Sequence, residues 1–312
     1  MHRTINTCAV LCVLALASPA SAQETGTADF GFRQNTQQAL EITGYYTGET
    51  NQFKQTGARQ FVFDGSGKLS EVKEMITETI GSQRTYQYDD AGNLVKMTHL
   101  FASESGPMAS ATTYTYETDG NKTTCTRKDP NGDQQQTVAF RNDMGELRGE
   151  TFFDKHGNKT SYIEYGGKEG YRVKTYQDNK VVTDTVFFLN EAGNIEKAIV
   201  NTEPGLKNST EQLTTFVYNN QGDVIKKRVH YPVKSGETPK VMTTYTTEYL
   251  YDGEVWVASV THSDWTYKPE KTLNVTLRRI KTPEKMHTAT NEQHVLDFFK
   301  QVYANYTQQP NK

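Results

Sequence analysis

Few residues in the chain are of types and spacings that could do chemistry. Beyond residue 22 there are six histidines, His99, His156, His230, His262, His287 and His294. None stands at the His-x-x-x-His spacing that would bring two imidazoles to one metal ion. Cys125 is the one cysteine beyond that point, so no intrachain disulfide forms there. A nucleophilic thiol needs a histidine partner and a lowered pKa, and the sequence names neither, so Cys125 reads as a half-buried small residue. No Gly-x-Ser-x-Gly elbow, phosphate-binding loop or His-Glu-x-x-His helix is present. The reading therefore assigns no catalytic residue, no metal ligand and no cofactor.

Two acidic arrangements were weighed. Asp129-Pro130-Asn131-Gly132-Asp133 is rich in oxygen donors, as a calcium loop is, but the twelfth position, Phe140, lacks the required Glu. Ordinary turn chemistry accounts for the same residues. Asp64, Asp89 and Asp154 would form a row along one edge if successive hairpins stacked in register, and such a row could hold divalent cations weakly.

Aromatic residues are abundant, with 18 Tyr, 14 Phe and 2 Trp, so one face of the fold could carry a row of rings. Tyr114, Tyr116, Tyr245, Tyr249 and Tyr251 alternate in a way that could expose such a row. Rings displayed there would stack on sugars or hold a partner protein; rings turned inward would be core. Trp256 and Trp265 fall where the sequence is least regular. The candidate ligand-binding residues are accordingly Trp256, Trp265, Tyr245, Tyr249 and Tyr251.

The elements that must position them are repeated. Aromatic-x-aromatic-Asp/Asn-x-x-Gly-x-aliphatic occurs at Phe61–Leu69, Tyr86–Leu94, Phe187–Ile195 and Phe216–Val224. Looser copies centre on Gly120, Gly132, Gly145 and Gly157, and a shortened one ends at Gly253. Residues two apart on a strand share a face. Asp or Asn opens a tight turn, and Gly takes the left-handed conformation that follows. The motif predicts a type I turn with a glycine bulge. It sets Phe63 opposite Leu69, Tyr88 opposite Leu94, Leu189 opposite Ile195 and Tyr218 opposite Val224. Gly67, Gly92, Gly193 and Gly222 are structural turn residues. The glycines from 120 to 157 are 12 or 13 apart, which predicts a meander with turns alternating between two edges. Further turns are predicted at Gly166-Gly167 and Asp178-Asn179. Aliphatic residues at both +2 (Leu69, Leu94) and +5 (Val72, Met97) from the Gly have opposite parity, which demands a bulge or a switch of buried face.

At these residues, in YQYDDAGNL, FVFDGSGKL and FVYNNQGDV, the chain resembles the YD-repeat (RHS-type) family of secreted bacterial proteins, over roughly residues 55–255. The stretch ELRGETFFDKHGNKTSYIEYGG is similar to MORN-type hairpin repeats. The first resemblance implies a β-sheet shell of the kind that encloses toxin domains, in an envelope or extracellular setting. The chain departs from it in being short, with no toxin-like C-terminal domain and no self-cleavage segment. The second resemblance implies scaffold or antitoxin roles.

The two ends differ from the repeats. Arg3, the apolar run Cys8–Ala17 and Ala20-Ser21-Ala22 before Gln23 form the pattern of a cleavable secretory signal. The run is shorter than the ~20 residues of a spanning helix, and no cysteine sits where a lipid anchor would be attached. Without residues 1–22 the chain has 33 basic and 37 acidic side chains, too balanced for a nucleic-acid binder. Val255–Thr261 and Leu273–Ile280 read as strands. Thr290 and Gln293 form a capping box for a helix whose Val295, Phe298, Phe299, Val302, Tyr303 and Tyr306 recur at helical spacing. That helix is expected to dock on the sheet and to cap an open end of the array. The strands are too rich in Thr, Lys and Glu for the lipid-facing alternation of a membrane barrel.

The expected fold is mainly β, an antiparallel sheet of repeated hairpins, twisted or curled, with a C-terminal amphipathic helix. Open sheet, sandwich and barrel all fit the pattern. The segments are 1–22 signal peptide, 23–54 N-terminal segment, 55–255 repeat domain, and 256–312 C-terminal strands and helix. The expected function is a non-catalytic periplasmic or secreted module that binds or scaffolds an envelope protein or polysaccharide, without nucleic acid and without spanning the membrane. A periplasmic immunity (antitoxin-like) protein and an envelope polysaccharide hydrolase are the alternatives.

Overall fold

Each copy of the motif closes a hairpin. In the first, the Gly67 N–H donates to the Asp64 carbonyl (3.0 Å) and the Asp64 N–H to the Lys68 carbonyl (2.8 Å). The Asp64 carboxylate accepts from the backbone N–H groups of Ser66 and Lys68, and Gly67 sits at φ +82°. This is the type I turn with a glycine bulge. The same backbone pair recurs at Asp89/Gly92, Asp129/Gly132, Asn142/Gly145, Asp154/Gly157, Asn190/Gly193 and Asn219/Gly222. The four cross-strand pairs expected from the motif are all present.

The parity conflict is resolved by a second bulge. Phe63 faces Leu69, Val62 faces Glu71 and Phe61 faces Val72, so Ser70 is the extra residue. Leu69 and Val72 thereby reach one face although three residues apart. Val95, Glu196 and Ile225 are the extra residues of the equivalent hairpins.

The computed structural model describes residues 30–76, 79–103, 106–166, 170–205, 209–234, 236–264, 272–289 and 292–308. The signal pattern, Trp265, Gly167 and the Thr290 cap lie outside the described residues. The first strands are β1 (Gln38–Thr47), β2 (Gln52–Phe63), β3 (Leu69–Ile76), β4 (Thr79–Tyr88), β5 (Leu94–Ser103), β6 (Gly106–Asp119), β7 (Lys122–Lys128), β8 (Gln134–Arg141) and β9 (Leu147–Phe153). There follow β10 (Lys159–Tyr165), β11 (Gly170–Gln177), β12 (Lys180–Leu189), β13 (Ile195–Thr202), β14 (Thr210–Tyr218), β15 (Val224–His230), β16 (Val241–Asp252), β17 (Val255–Ser263) and β18 (Thr272–Lys281). A two-residue β19 (Met286–His287) and the helix α1 (Glu292–Gln308) complete the chain's described elements.

Every strand from β1 to β18 pairs antiparallel with its sequence neighbour. β1 pairs with β18 as well as β2, through a ten-residue register from Gln38↔Lys281 to Thr47↔Thr272. The sheet is thus a closed up-and-down barrel, and closure removes the exposed edges that an open array would leave. β1, β17 and β18 belong to the same barrel as the repeats. The turns holding Gly67, Gly92, Gly120, Gly145, Gly166, Gly193, Gly222 and Gly253 share one rim, called upper here. Those holding Gly132, Gly157 and Asp178-Asn179 lie on the lower rim. Asp64 and Asp89 are therefore at the upper rim and Asp154 at the lower, which breaks the acidic row expected from the sequence. Among the described residues no group of three potential metal ligands comes together.

The motif aromatics point to one face. Ile163, Val173, Phe187, Ala198 and Thr214, on five consecutive strands, share that face and are all buried. Among the described residues no helix or terminal segment packs on them, and the face is the concave interior. Tyr114, expected as a possible exposed ring, is buried there beside Leu94 and Cys125. Burial pushes the Cys125 thiol pKa up, which is the reverse of what a nucleophile needs.

Neighbouring hairpins are joined by tyrosine hydroxyls. At the upper rim the β3–β4 ladder stops at Glu71↔Thr85. Beyond it the Tyr88 hydroxyl donates to the Leu69 carbonyl at 2.7 Å. Tyr116 does the same to Leu94 (3.0 Å), Tyr218 to Ile195 (2.7 Å) and Tyr249 to Val224 (3.0 Å).

Residues from the two ends of the chain pack on opposite sides of the seam between β18 and β1. Phe30 and Phe32 pack inside on Phe61 and Phe63. The helix lies outside, its Val295, Phe299 and Val302 buried against Tyr46, Val260, Leu273 and Val275. A side chain at Gly48 would run into the Tyr303 ring, so the β1–β2 turn tucks directly beneath α1. The helix does not cap an open end, as the sequence led us to expect. A closed barrel has no terminal repeat to shield, and the apolar outer row of β18 gives the helix its seat instead.

Two outcomes follow. Gly193 has nothing within 4 Å of where a Cβ would stand, so its constraint is purely the φ of +82°. Gly193→Val should cost about 1–2 kcal/mol, read as a lowered urea midpoint, and Gly193→Asn should cost less. His262 packs under α1 with its ring 4.6 Å from Tyr306. Burial lowers its pKa below 6.5, against a weaker opposing pull from Asp264. As pH falls below about 6.5 the unfolded chain takes up a proton that the folded ring resists, so stability declines toward the folded pKa. His262→Phe should flatten that part of the stability profile measured by thermal melts between pH 7 and pH 5.

Candidate binding site

Arg278, on the interior face of β18, organises the upper end of the seam. Its Nε donates to Glu41 Oε1 at 2.8 Å, and Nη2 lies 2.7 Å from the same oxygen. Nη1 donates to the Gly31 carbonyl (3.0 Å) and Nη2 to the Phe30 carbonyl (3.3 Å). The guanidinium lies 3.6 Å from the centre of the Trp256 ring and 4.5 Å from that of Phe32. Arg59 on β2 brings a second cation to Glu41 Oε2 at 3.1 Å. Burial pulls the Arg278 pKa down and Glu41 pulls it back up. A buried ion pair with complete hydrogen bonding fixes geometry; removing one partner leaves a costly bare charge.

The aromatic row continues from Trp256 to Tyr249 (5.6 Å between ring centres) and on to Tyr251 (6.0 Å). The Tyr251 hydroxyl donates to Asp223 Oδ2 and accepts from Asn219 Nδ2, each at 2.6 Å. Burial, first, and the bond to Asp223 raise the Tyr251 pKa well above the usual phenol range. Burial raises that of Tyr249 to about 12. Both phenols are neutral and act as fixed hydrogen-bonding groups at any ordinary pH.

The structure thus brings together three of the residues singled out in the sequence, Trp256, Tyr249 and Tyr251. Tyr245 lies further down the same interior face of β16, 36% exposed and beside Lys227. Arg278, Glu41 and Asp223 were missed. Asp223 sits one residue past a turn glycine, where the repeat varies freely. Arg278 and Glu41 are 237 positions apart, and no local pattern couples them.

Among the described residues several concavities open on the upper rim, and two of them border aromatic side chains. One, of about 160 Å³, is lined by Arg33, Thr36, Gln221, Asp223, Glu254 and Trp256 among others. Arg33 clasps Glu254 at 2.7 Å on its border. The second, about 650 Å³, lies beside the β10–β11 and β12–β13 turns and is lined by the outward-facing Glu164, Arg172, Phe188 and Lys197, with Tyr165, Tyr171 and Phe187 turned to the inner face. Tyr171 and Phe187 stack at 4.5 Å and 19°. Sequence reading missed this notch because the turn after Tyr165 is not a copy of the motif. Each concavity sets an aromatic ring beside a carboxylate and a cation, Trp256 with Asp223 and Arg33 in the first and Phe188 with Glu164 and Lys197 in the second, a combination suited to sugar rings and their hydroxyls.

Residues 63–100 match the family model described as RHS Repeat, which covers the hairpin with Tyr86, Tyr88 and Leu94 and bears out the resemblance read there. No curated protein matches the chain. Among solved structures, a porin-like protein from Bacteroides uniformis ATCC 8492 is similar at 12% identity, over 79% of this chain and 98% of that one, with a TM-score of 0.38. A TcdB2-TccC3-Cdc42 structure is similar at 12% identity, over 75% of this chain and 15% of that one, with a TM-score of 0.27. A Tc holotoxin pore from Photorhabdus luminescens matches at 13% identity, over 69% and 14%, also at 0.27. The chain therefore spans about 15% of the TcdB2-TccC3 chain it matches. In itself the protein is a structural module made of β-repeats.

The seam makes a sharp prediction. Glu41→Gln leaves Arg278 buried without its charge partner and should cost about 3–5 kcal/mol. Glu41→Gln combined with Arg278→Met removes both charges and should recover a large part of that loss in urea denaturation.

Proposed function

We propose that the protein is an exported, non-catalytic module of the cell envelope, periplasmic or secreted, that binds an envelope polysaccharide across the upper rim of its barrel. The observation that carries this reading is a pair of concavities on that rim, each joining an aromatic ring, Trp256 or Phe188, to a carboxylate and a cation. The signal-like first 22 residues and the near-balanced charge fit the same setting. A polymer suits two separated sites better than a small molecule does, because engaging both raises the effective concentration at the second.

A protein partner would want a broad apolar patch. The large apolar residues most exposed here, such as Leu100, Met108, Met144, Tyr231 and Met286, are spread over different strands and turns. That spread favours the polysaccharide over an immunity-type partner.

Affinity electrophoresis of residues 23–312 through gels containing envelope polysaccharide tests the reading. Retarded migration is expected, weakened several-fold by Glu164→Gln with Glu196→Gln and more by Phe188→Ala. No new reducing ends should appear on long incubation. Unretarded migration, together with capture of one dominant envelope protein, would sink the polysaccharide reading in favour of the immunity one. Released reducing ends would favour the hydrolase.

A further inference from the structure

We infer that the cleft between the first turns of α1 and the outer face of the seam is a binding site for one fatty-acid molecule. The outward row of β18 runs Leu273, Val275, Leu277, Arg279, Lys281. Leu273 and Val275 are sealed beneath the helix. Leu277 is not, and over it opens a cleft of about 260 Å³, walled by Leu40, Ile42, Phe53, Leu296 and Phe299. It shares Leu40, Arg279, Thr288 and Ala289 with an adjoining open groove of about 450 Å³ that reaches Gln38, Gln60 and Lys281.

The row therefore passes from apolar to cationic along the direction a chain would lie. Arg279 and Lys281 are exposed, and neither takes part in an ion pair among the described residues. Glu292 is the acid beside the cleft. It stands in the first turn of α1, where the helix's own N–H groups offset its charge. The cleft is smaller than the ~300–1,000 Å³ usual for ring-bearing ligands, which suits a single hydrocarbon chain. The two cations then meet the one group of such a ligand that is charged, its carboxylate. An uncharged alkane would leave the cations unused.

The test is fluorescence titration of the mature chain with cis-parinaric acid and, separately, with its methyl ester. One saturable site per chain is expected for the acid. Leu296→Trp, which fills the cleft, should weaken binding at least tenfold, with near-UV circular dichroism confirming the fold. Leu277→Phe, a smaller intrusion, should weaken it less and serves if the tryptophan variant does not fold. Arg279→Gln with Lys281→Gln should weaken the acid about tenfold and leave the ester unchanged. Absence of a saturable signal overturns the inference. So does binding indifferent to both sets of variants, or sedimentation with phosphatidylglycerol vesicles without binding of monomeric acid, which would mean a membrane-surface patch instead.

Discussion

Eighteen strands enclose more space than side chains can fill, since about eight already leave an interior only just filled by them. The walls of this barrel cannot be held by packing across the middle, so each hairpin must be held by the next one. The tyrosine hydroxyls of residues 88, 116, 218 and 249 do this. Each takes a carbonyl left open where the ladder between two hairpins stops short of the upper rim. An open carbonyl in the interior would be costly, and the phenol satisfies it while its ring covers the neighbouring aliphatic side chain. The interior clusters accordingly lie within runs of neighbouring strands, such as Ile163, Val173, Phe187 and Ala198.

This explains the tyrosine just before Asp89 and Asn219, a place that Phe63 and Leu189 hold in the other two clear copies of the motif. The turn needs only the Asp or Asn and the Gly. The ring belongs to the next level, joining hairpin to hairpin, and the bulge three residues past the Gly puts Leu69 and Val72 on the face where the rings are. Hydroxyl pairs add to the lining, with Thr175 to Thr183 at 2.6 Å and Thr247 to Thr261 at 2.9 Å. The seam is different. It brings together strands from opposite ends of the chain, where loop-closure entropy is greatest. There the single phenol is replaced by Arg278, which ties β18 to Glu41 of β1, to the Phe30–Gly31 backbone and to the Trp256 ring.

What was legible in the sequence follows from the same division. Turn type, the four cross-strand pairs and the meander were readable because each depends on fewer than about ten consecutive residues, within reach of turn chemistry and side-chain parity. The opposite parity of Leu69 and Val72 demanded a bulge, and only its location at Ser70 had to be seen. Closure was not readable, because no residue of β1 carries a mark that selects β18 over solvent. Arg278 and Glu41 look like ordinary strand residues until the seam forms. The helix was legible as an amphipathic element but was expected at the wrong place, because its seat, the outer row of β18, exists only once the barrel is shut. The acidic row failed for a related reason: Asp154 opens the same kind of turn as Asp64, and one intervening strand decides which rim it joins.

Closure also decides where recognition can occur. An open sheet would offer a flat aromatic face; here that face is concave, and Trp256, Tyr249 and Tyr251 are engaged by Arg278, Val224 and Asp223. Their geometry is rigid, which makes them supports for a site more than contacts within one. Strand edges, the other usual docking feature of a sheet, are gone. What remains open is wherever the repeat is interrupted. After β10 the hairpin motif lapses and the rim gains a notch, and at the seam the terminal segments meet the barrel from both sides. Open surface for the proposed binding therefore concentrates at departures from the repeat, because within it Tyr88, Tyr116, Tyr218 and Tyr249 are already used to hold the wall together.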